Sequence, residues 1–452
     1  MKTKLKYIVK SVLAAGLLSV ISSFAFAAND TTPEQILFKN VNVFDGKNEE
    51  LKKNVNVLIE NNIIVAVGVG VKASSKAKVI NGGGKTMIPG LIDMHSHLCI
   101  QEGMLVGRDD YDQMAMGART AVSMAQYLEQ GFTTARDVGC NVLGIAKAVN
   151  NGFVPGPRIF PSGGFLSQTG GHADTGSFND LPGRIDDLER HGFGYIVDGK
   201  AEVRRAARQN LRAGATQIKM MAGGGVASEF DPIHTTQFSV EEFETAVEVA
   251  KDYGTYVTVH AYHDRSVNRA IDAGVRVIEH NFLTSEKTIK RMKKEGIALS
   301  AQAVMSLEAF ADPDSITFFN ADQKAKAKSV NAGAIKMFKL ARKHKLLIVT
   351  GGDMFGPAYN TRQADNMVWM SKVGFTPYEI MKMGTSNAAE VLSWSGSMNP
   401  YKYGSLGVIE KGAYADVILI DGNPLKDIAI LNDYKEKFKV ILKDGKVLKN
   451  TL

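Results

Sequence analysis

The sequence predicts an α/β protein in which a (β/α)8 TIM barrel is inserted into a small β-sandwich domain formed by both chain ends. Two observations predict this fold. Short β-type runs occur at the two ends of the chain, on either side of one large middle section. That middle section, about 300 residues long, alternates eight apolar strand candidates with amphipathic helical stretches. An open doubly wound sheet is the alternative arrangement for such an alternation.

The first 27 residues have the pattern of a secretory signal peptide. Four lysines, the last of them Lys10, precede an uncharged run over 11–21, and Ala25-Phe26-Ala27 is typical of a processing site. The uncharged run is too short for a confident membrane span, with an uncleaved anchor as the alternative. We therefore expect a periplasmic or secreted protein, residues 1–27 being removed, with no stable membrane anchor after cleavage.

The domain boundaries follow from the β-type runs. Residues 28–89 contain ILFKNVNVF, NVNVLIE and IIVAVGV, with a turn at Asp45-Gly46. Residues 399–452 contain ADVILID and KFKVILKDGKVL. We predict that these two segments form the sandwich domain and that residues 90–398 form the barrel.

The barrel strands are short apolar runs separated by helical patterns. In chain order they are LIDMHSHL, FTTARDVG, RIFPSG, TQIKMMAG, YVTVHAY, VRVIEHN, IALSAQ and LIVTGGD. The helical patterns include SVEEFETAVEVAKDYG and DRSVNRAIDAG, each of which ends at a glycine, as helix C-termini often do.

Composition and charge limit the class of partner. With 44% hydrophobic and 22% charged residues, the chain has an ordinary globular composition. The formal net charge of +7 falls to +3 when the four lysines leave with the signal peptide, and this gives no indication of a nucleic-acid partner. The only two cysteines, Cys99 and Cys140, follow the first and second barrel strands. They form a disulfide if their Cα atoms come within about 7 Å; two free thiols are the alternative.

Polar side chains end several of the barrel strands, where the chemistry of such a barrel is located. Side chains of residues i and i+2 in a strand point the same way, so the first two histidines face one point. A lone terminal histidine is more often structural than a metal ligand, but four histidines with a lysine and a carboxylate indicate a metal site. These strand-end residues are His95, His97, Lys219, His260, His280 and Asp353.

The motifs resemble those of the amidohydrolase superfamily over essentially the whole mature chain. PGLIDMHSH is similar to the family's first-strand motif, VTVHAY and RVIEH to the fifth and sixth, and VTGGD to the eighth. GTSNAAEVL and GSLGVIEKGAYADVILIDGNP resemble the barrel exit and the closing sheet. The lysine in IKMMAGGG is typical of members with two metals, whereas deaminase-like and imidazolonepropionase-like members lack it and keep one.

Further motifs resemble one branch of the family, the binuclear metal-dependent dipeptidases related to prolidases and Xaa-Arg carboxypeptidases. They are GGHAD at 170–174, DPIHTTQFS at 231–239 and Tyr262, two residues after His260. The segment GGDMFGPAYNTRQ departs from the pattern, because relatives have a Thr-Asp step and a His-Gly segment there. The departure leaves substrate specificity open.

The resemblance implies a role for each strand-end residue. It implies two divalent metal ions, zinc with manganese or cobalt as replacements, bridged by Lys219 after its carboxylation by carbon dioxide. A lysine neutralised by Asp353 beside a single metal is the alternative. One metal would be held by His95, His97 and Asp353, and the other by His260 and His280.

The same resemblance gives catalytic roles to three residues. Asp353 is expected to act as general base toward a metal-bridging water or hydroxide, Tyr262 to hydrogen-bond the developing oxyanion, and His172 to contact a substrate carboxylate or carbonyl. For Tyr262 and His172, a packing role is the alternative. Arg362 and the N–H groups of Gly223-Gly224-Gly225 are further candidates for binding a substrate carboxylate. Asp93 and Arg136 are interpreted as supporting residues, and the roles of His234 and His263 stay open.

The function predicted is that of a periplasmic dipeptidase or carboxypeptidase, a homo-oligomer that cleaves dipeptides or N-acyl amino acids. One alternative is hydrolysis of another amide, a carbamate or a urea, including xenobiotics, since this fold hosts many substrates. A mononuclear imidazolonepropionase-like or deaminase-like enzyme is a second alternative, and a metal-binding or ligand-binding protein without turnover is a third.

Overall fold

Both ends of the chain contribute to one sheet in the computed structural model, which describes residues 33–100, 112–181, 183–354, 356 and 359–452. The predicted signal peptide lies outside the described residues. Residues Gln35–Leu452 form one compact unit. Within the described ranges, every helix is too short or too polar to cross a lipid bilayer.

The N-terminal strands differ in burial, from a short, largely exposed strand at Lys78–Asn81 to one at Thr86–Pro89 that is buried throughout. They are β1 (Gln35–Val43), β2 (Lys52–Glu60), β3 (Ile63–Gly68), β4 (Lys78–Asn81) and β5 (Thr86–Pro89).

The barrel strands are buried on both faces, except for the partly buried Gly194–Ile196, and most of them are rich in apolar residues. They are β6 (Leu91–Ser96), β7 (Phe132–Asp137), β8 (Arg158–Pro161), β9 (Phe165–Ser167), β10 (Gly194–Ile196), β11 (Ile218–Met221), β12 (Val257–Ala261), β13 (Val277–His280), β14 (Ala298–Ala301) and β15 (Ile348–Thr350). All eight predicted strands are present. The short strands β9 and β10 were not predicted.

The C-terminal strands are β16 (Val417–Ile420), β17 (Phe438–Lys443) and β18 (Lys446–Asn450). They extend the N-terminal sheet in the order β18-β17-β16-β5-β1-β2-β3, with β4 on β1. Strand β16 pairs antiparallel with β5, Ile418 opposite Ile88. The fold class, a (β/α)8 barrel inserted between the two halves of a small β-sandwich domain, is therefore confirmed.

The parallel barrel strands form two hydrogen-bonded groups, β6-β7-β8 and β10-β9-β11-β12-β13-β14-β15. Backbone bonds join the groups on both sides: Thr216 N donates to Pro161 O at 2.7 Å, and Asp353 N donates to His95 O at 2.7 Å. The second bond brings the end of β15 against β6. The first and last barrel strands therefore deliver their terminal side chains to the same place.

Helices follow the barrel strands along the chain, and the last helix lies between two strands of the C-terminal segment. They are α1 (Gln113–Glu129), α2 (Leu143–Asn150), α3 (Asp187–Arg190), α4 (Gly199–Ala213), α5 (Val240–Asp252), α6 (Asp264–Asp272), α7 (Glu286–Glu295), α8 (Ala321–Lys343), α9 (Gln363–Met370), α10 (Pro377–Met383), α11 (Ser386–Ser393) and α12 (Tyr434–Lys437). The two helices predicted by name are α5 and α6. Helix α5 begins with a capping box between Ser239 and Glu242, a local signal that the sequence carries.

A buried ion-pair cluster connects the barrel to the sandwich domain. Arg158, at the start of β8, donates from Nε to Asp416 Oδ2 at 2.9 Å and from Nη2 to Asp444 Oδ1 at 2.6 Å. Its guanidinium lies 3.8 Å from the ring centroid of Tyr414. Removing one partner would leave a buried charge uncompensated. The cluster therefore holds the orientation of the two parts.

Candidate active site

The predicted strand-end histidines and Asp353 converge at one end of the barrel. The rings of His95 and His97 are 5.2 Å apart. Both Nε2 atoms lie 3.3 Å from Asp353 Oδ1. The ligand atoms of these three residues all lie within 4.8 Å of one another, a spacing that could hold one metal ion.

A second pair of histidines lies beside the first group, with the ring of His280 5.1 Å from that of His95. His280 Nδ1 is 3.9 Å from Asp353 Oδ2, and the rings of His260 and His280 are 4.5 Å apart. The two oxygens of one carboxylate thus face two groups of imidazoles. This arrangement fits a site for two cations, with Asp353 between them.

Burial sets the charge state of these groups. Burial lowers the pKa of His260 and His280 well below the usual value, so both imidazoles are neutral and able to ligate a metal. Burial by itself raises the pKa of Asp353, but the neighbouring His95 and His97 outweigh it and hold the pKa well below its usual range. The site therefore presents the neutral imidazoles of His260 and His280 and the ionised carboxylate of Asp353, groups that suit zinc and similar divalent metals.

Two of the ligand candidates occupy the left-handed region of backbone conformation. The φ of His280 is 71° and that of Asp353 is 51°. Non-glycine residues seldom adopt such values, which cluster at functional sites. Next to Asp353, a Cβ at Gly351 would lie 2.4 Å from the Cβ of His95. Glycine is thus required where the end of β15 passes β6.

Lys219 is the one lysine among the strand-end residues and is 1% exposed. Its amino group makes neither a hydrogen bond nor an ion pair with any residue that the structure describes, so the direct Lys219–Asp353 pair is not formed. Burial lowers its pKa to about 8, an effect that Glu279 and Asp353 partly oppose. A buried amine that is partly uncharged is able to react with carbon dioxide. The residues present therefore fit two metals bridged by a carboxylated lysine.

His172 lies on the loop after β9, directly beside a ligand candidate. Its ring stacks on that of His260, with centroids 4.0 Å apart. Its Nδ1 lies 2.8 Å from Ser228 Oγ and 3.2 Å from Asp231 Oδ2. A Cβ at Gly225 would lie 1.9 Å from His172 Cε1. Because Gly225 has no side chain, the imidazole of His172 can lie directly against its backbone.

Tyr262 packs edge-on against the same histidines, 4.8 Å from the ring of His260 and 5.3 Å from that of His280. It is 5% exposed. Burial raises its pKa well above the usual value, so the hydroxyl keeps its proton. The hydroxyl has no hydrogen-bond partner among the described residues. It is therefore available to donate to a substrate oxygen.

Two of the groups expected to bind a substrate carboxylate make hydrogen bonds or ion pairs within the protein. Arg362 Nη2 lies 2.8 Å from Glu308 Oε2, and Arg362 Nε donates to Asp365 Oδ2 at 2.5 Å. In the glycine segment, Gly225 N donates to Asp231 Oδ2 at 2.9 Å and Gly224 N to Thr235 O at 3.3 Å. Sequence reasoning could not show this, because the partners lie on loops that are distant in the chain.

The sequence assigned no role to His234 or His263. His234 is exposed. His263 precedes α6, and its Nε2 lies 3.0 Å from Thr235 O.

Sequence reasoning missed Glu279, which is 0% exposed and directly precedes His280. Its Oε2 lies 2.8 Å from His95 Nδ1, and its Oε1 accepts from Arg136 Nη2 at 2.6 Å. Although burial raises the pKa of a carboxyl, Arg136 and His95 hold the pKa of Glu279 well below its usual range. The sequence does contain one signal for Glu279, because this residue is a carboxylate that directly follows the apolar pair Val277-Ile278 in a buried strand.

Asp93 and Asp137 support the ligand strands from within the barrel. Asp93 accepts from His95 N, Gly352 N and Tyr127 Oη, each at 2.9 Å, and so ties β6 to the end of β15. Asp137 accepts from Leu98 N at 2.7 Å. Burial raises the pKa of Asp137 to about 6, against the opposing effect of His97.

The two cysteines form a disulfide, with Cα atoms 5.9 Å apart. Cys99 is two residues beyond His97, and Cys140 follows Gly139, whose carbonyl lies 2.9 Å from His97 Nδ1. The disulfide therefore connects the two loops that hold this imidazole.

Comparison with known proteins gives consistent relatives. Residues 86–449 match the sequence model of the amidohydrolase family. The chain is 30% identical over 456 residues to ochratoxinase of Aspergillus niger, covering 94% of this chain and 88% of the relative. It is 33% identical to a solved prolidase complexed with N-methylphosphonate-L-proline, covering 92% of this chain and 100% of the prolidase with a TM-score of 0.85. It is 28% identical to a Xaa-Pro dipeptidase with methionine bound in the active site, covering 92% and 100% with a TM-score of 0.80.

Proposed function

Because the chain belongs to the amidohydrolase family and is a hydrolase, we propose that it is a binuclear metallopeptidase that cleaves dipeptides or N-acyl amino acids. One observation carries the proposal: the two oxygens of Asp353 lie within 4 Å of three buried histidines, His95, His97 and His280, and the ring of His280 packs against that of His260. The likeness to a prolidase and a Xaa-Pro dipeptidase supports the substrate class.

The proposed metal ligands are the six strand-end residues. His95, His97 and Asp353 would hold one ion and His260 and His280 the other, and Lys219, once carboxylated, would supply an anionic ligand to the site. When bound, the metals acidify a water molecule and polarise the scissile carbonyl. The neutral imidazoles of His260 and His280 and the ionised carboxylate of Asp353 have the protonation states that ligation requires.

Three side chains do the remaining chemistry in this proposal. Asp353 accepts the proton of the attacking water and delivers it to the leaving amine. Tyr262 donates its hydroxyl proton in a hydrogen bond to the carbonyl oxygen as negative charge develops there. His172 binds the substrate carboxylate, a role supported by its place beside His260 and by the engagement of Arg362 and of the Gly224 and Gly225 N–H groups elsewhere.

A signal peptide over residues 1–27 supports the proposal that the mature enzyme works in the periplasm or outside the cell. We further propose that it is a homo-oligomer without a nucleic-acid partner. Zinc is the proposed metal, with manganese or cobalt as replacements.

A second candidate function is hydrolysis of another amide, a carbamate or a urea, including xenobiotics. One observation favours it, the 30% identity to a relative named ochratoxinase, whose name does not denote a dipeptide substrate. Substrate class varies readily on a common barrel because loops determine it.

A panel of dipeptides, their C-terminal amides, aryl amides and carbamates separates the two candidates. A buried donor that pairs with a substrate carboxylate is left unsatisfied when the carboxylate is absent. Amidating the C-terminus of a good dipeptide should therefore lower kcat/KM about a hundredfold or more. In His172→Asn that penalty should shrink, while metal content stays at the parental level.

Equal cleavage of free-acid and amidated dipeptides would contradict the carboxylate requirement. Cleavage of aryl amides or carbamates without any dipeptide cleavage would replace the peptidase proposal with the second candidate.

A further inference from the structure

His95 has two neighbours at Nδ1, the nitrogen that faces away from Asp353. Glu279 Oε2 lies at 2.8 Å and Gln302 Nε2 at 3.2 Å. An ionised carboxylate accepts hydrogen bonds and cannot donate them. The amide of Gln302 has another acceptor, Ser300 Oγ at 3.0 Å. The shorter contact, to Glu279, therefore requires the His95 proton to be on Nδ1.

The other oxygen of Glu279 is held by two donors. Oε1 accepts from Arg136 Nη2 at 2.6 Å and from the hydroxyl of Thr258. Arg136 is 0% exposed, and its Nε also donates to Met94 O at 2.6 Å, so the guanidinium is fixed to β6 itself. A guanidinium has no acceptor. The Oε1 position must therefore be occupied by an acceptor atom.

The backbone explains why Glu279 and His280 both reach the barrel interior. Successive residues of a regular strand point to opposite faces. At His280 the strand ends with φ at 71°, which breaks the alternation. Glu279 can then lie beneath the metal-site candidates, while His280 faces Asp353.

We propose that Glu279 is a positioning residue that holds His95 in the Nδ1–H tautomer, with the Nε2 lone pair directed at the metal, and that Arg136 fixes the orientation of Glu279. A carboxylate that accepts from the second nitrogen of a metal-binding histidine orients the ring and raises its basicity. The inference rests on the proposed function in taking His95 as a metal ligand. It assigns a role to Glu279 that depends on no particular substrate.

The substitution Glu279→Gln gives an atom-level test. Since Arg136 and Thr258 demand an acceptor at the Oε1 position, the amide oxygen occupies that position and the NH2 group faces His95. The imidazole must then accept at Nδ1 and carry its proton on Nε2. A protonated Nε2 has no lone pair for a metal, although the variant side chain has nearly the same shape.

The experiment uses the full mature protein. Zinc affinity is measured by competition with a chromogenic chelator. Although burial lowers the pKa of His95, Asp353 and Glu279 outweigh it and raise the pKa, so the tautomer is read at alkaline pH by ¹⁵N NMR of the metal-free protein labelled at its histidines. The His95 signal is assigned by its loss in His95→Asn. We expect Nδ1–H in the parental protein and Nε2–H in Glu279→Gln. Zinc affinity of the variant should fall about 10-fold to 100-fold.

Thr258→Val is the matched control. It removes the second donor to Oε1 in the same buried place and leaves Glu279 to accept from His95, so the tautomer and the zinc affinity should remain parental. An Nε2–H tautomer in the parental protein would overturn the proposal even if Glu279→Gln does not fold. Parental zinc affinity in a folded Glu279→Gln would also overturn it.

These readouts do not involve turnover. If the parental enzyme cleaves no dipeptide, the proposed substrate class fails while the tautomer and affinity measurements still decide the role of Glu279. If dipeptides are cleaved and the tautomer is wrong, only the positioning role fails.

Discussion

The disulfide between Cys99 and Cys140 joins the loops after β6 and β7 beside His97 and Gly139, the residues whose Nδ1 and carbonyl oxygen are 2.9 Å apart. Both sulfurs are buried and their residues are 41 positions apart. The bridge therefore restrains the unfolded chain and also positions one ligand candidate.

Replacing both cysteines by serine should reduce the free energy of unfolding by about 2 to 4 kcal/mol, as expected for a loop of this length. Urea unfolding of the metal-free protein measures it. As a check on the bridge, the unreduced parental protein should yield no thiol after denaturation and two after reduction. Two reactive thiols in unreduced, denatured protein would contradict the disulfide.

Metal content should be two divalent ions per chain in protein supplemented with zinc, because Asp353 Oδ1 faces His95 and His97 while its Oδ2 faces His280, which packs against His260. His260→Asn should retain about one ion, since one of its two sites keeps all its ligands. His344→Asn is the control: this imidazole lies 2.7 Å from Glu286, away from the barrel end, so the variant should retain two. Elemental analysis measures all three, and a single ion in the parental protein would exclude the binuclear site.

Much of this site could be predicted from sequence because it depends on regular geometry. His95, His97, His260 and His280 each follow an apolar run, and parallel strands of a barrel end on the same side. The period of two in a strand places His95 and His97 together. The same reasoning gave all eight major barrel strands and the shared terminal sheet.

The rest depends on irregular geometry and on loops. Glu279 should point away from the site by strand alternation, and only the positive φ of His280 allows it to contact His95. Asp231 contacts His172 across 59 positions of sequence, through two loops without periodicity. Arg362 was expected to bind substrate, but nothing local in the sequence indicates its ion pair with Glu308.

Lys219→Ala should lose most activity, and short carboxylic acids should partly restore it. The substitution opens space at a buried position close enough to His95, His260 and His280 to affect their pKa values, and a small carboxylate can replace the lost anionic ligand there. Initial rates with and without added formate or acetate measure the rescue. Lys443→Ala, in the sandwich domain, should keep parental activity and show no response to the acids. Near-parental turnover of Lys219→Ala would contradict the bridging role.

Gly225→Ala should impair catalysis without loss of metal. The added Cβ would lie 1.9 Å from His172 Cε1, a distance that the contact cannot tolerate, so the imidazole must leave its place against His260. We expect kcat/KM for dipeptides to fall at least tenfold, with parental zinc content.

Gly117→Ala is the control, because a Cβ at this position in α1 meets no atom within 4 Å. This variant should keep parental activity, and its free energy of unfolding should rise by about 0.5 to 1 kcal/mol. Parental kcat/KM in Gly225→Ala would show that the position of His172 does not matter.

The last prediction concerns stability in acid and the turn after β1. Burial raises the pKa of Asp45. The backbone N–H groups of Asn48 and Lys47 and the side chains of Asn48 and Lys52 donate hydrogen bonds to the carboxylate, which outweigh the effect of burial and lower the pKa to about 2. A carboxyl with a folded-state pKa below its unfolded value of about 4 stabilises the fold above that value, and the effect is lost as the pH falls from about 4 to 2. Asp45→Asn should therefore be less stable than the parental protein at pH 7, by about 1 kcal/mol after allowance for solvent screening. The difference should disappear near pH 2. Urea unfolding at a series of pH values measures it, with Lys47→Met as the control that keeps the backbone donor; a difference that does not vary with pH would contradict the assignment.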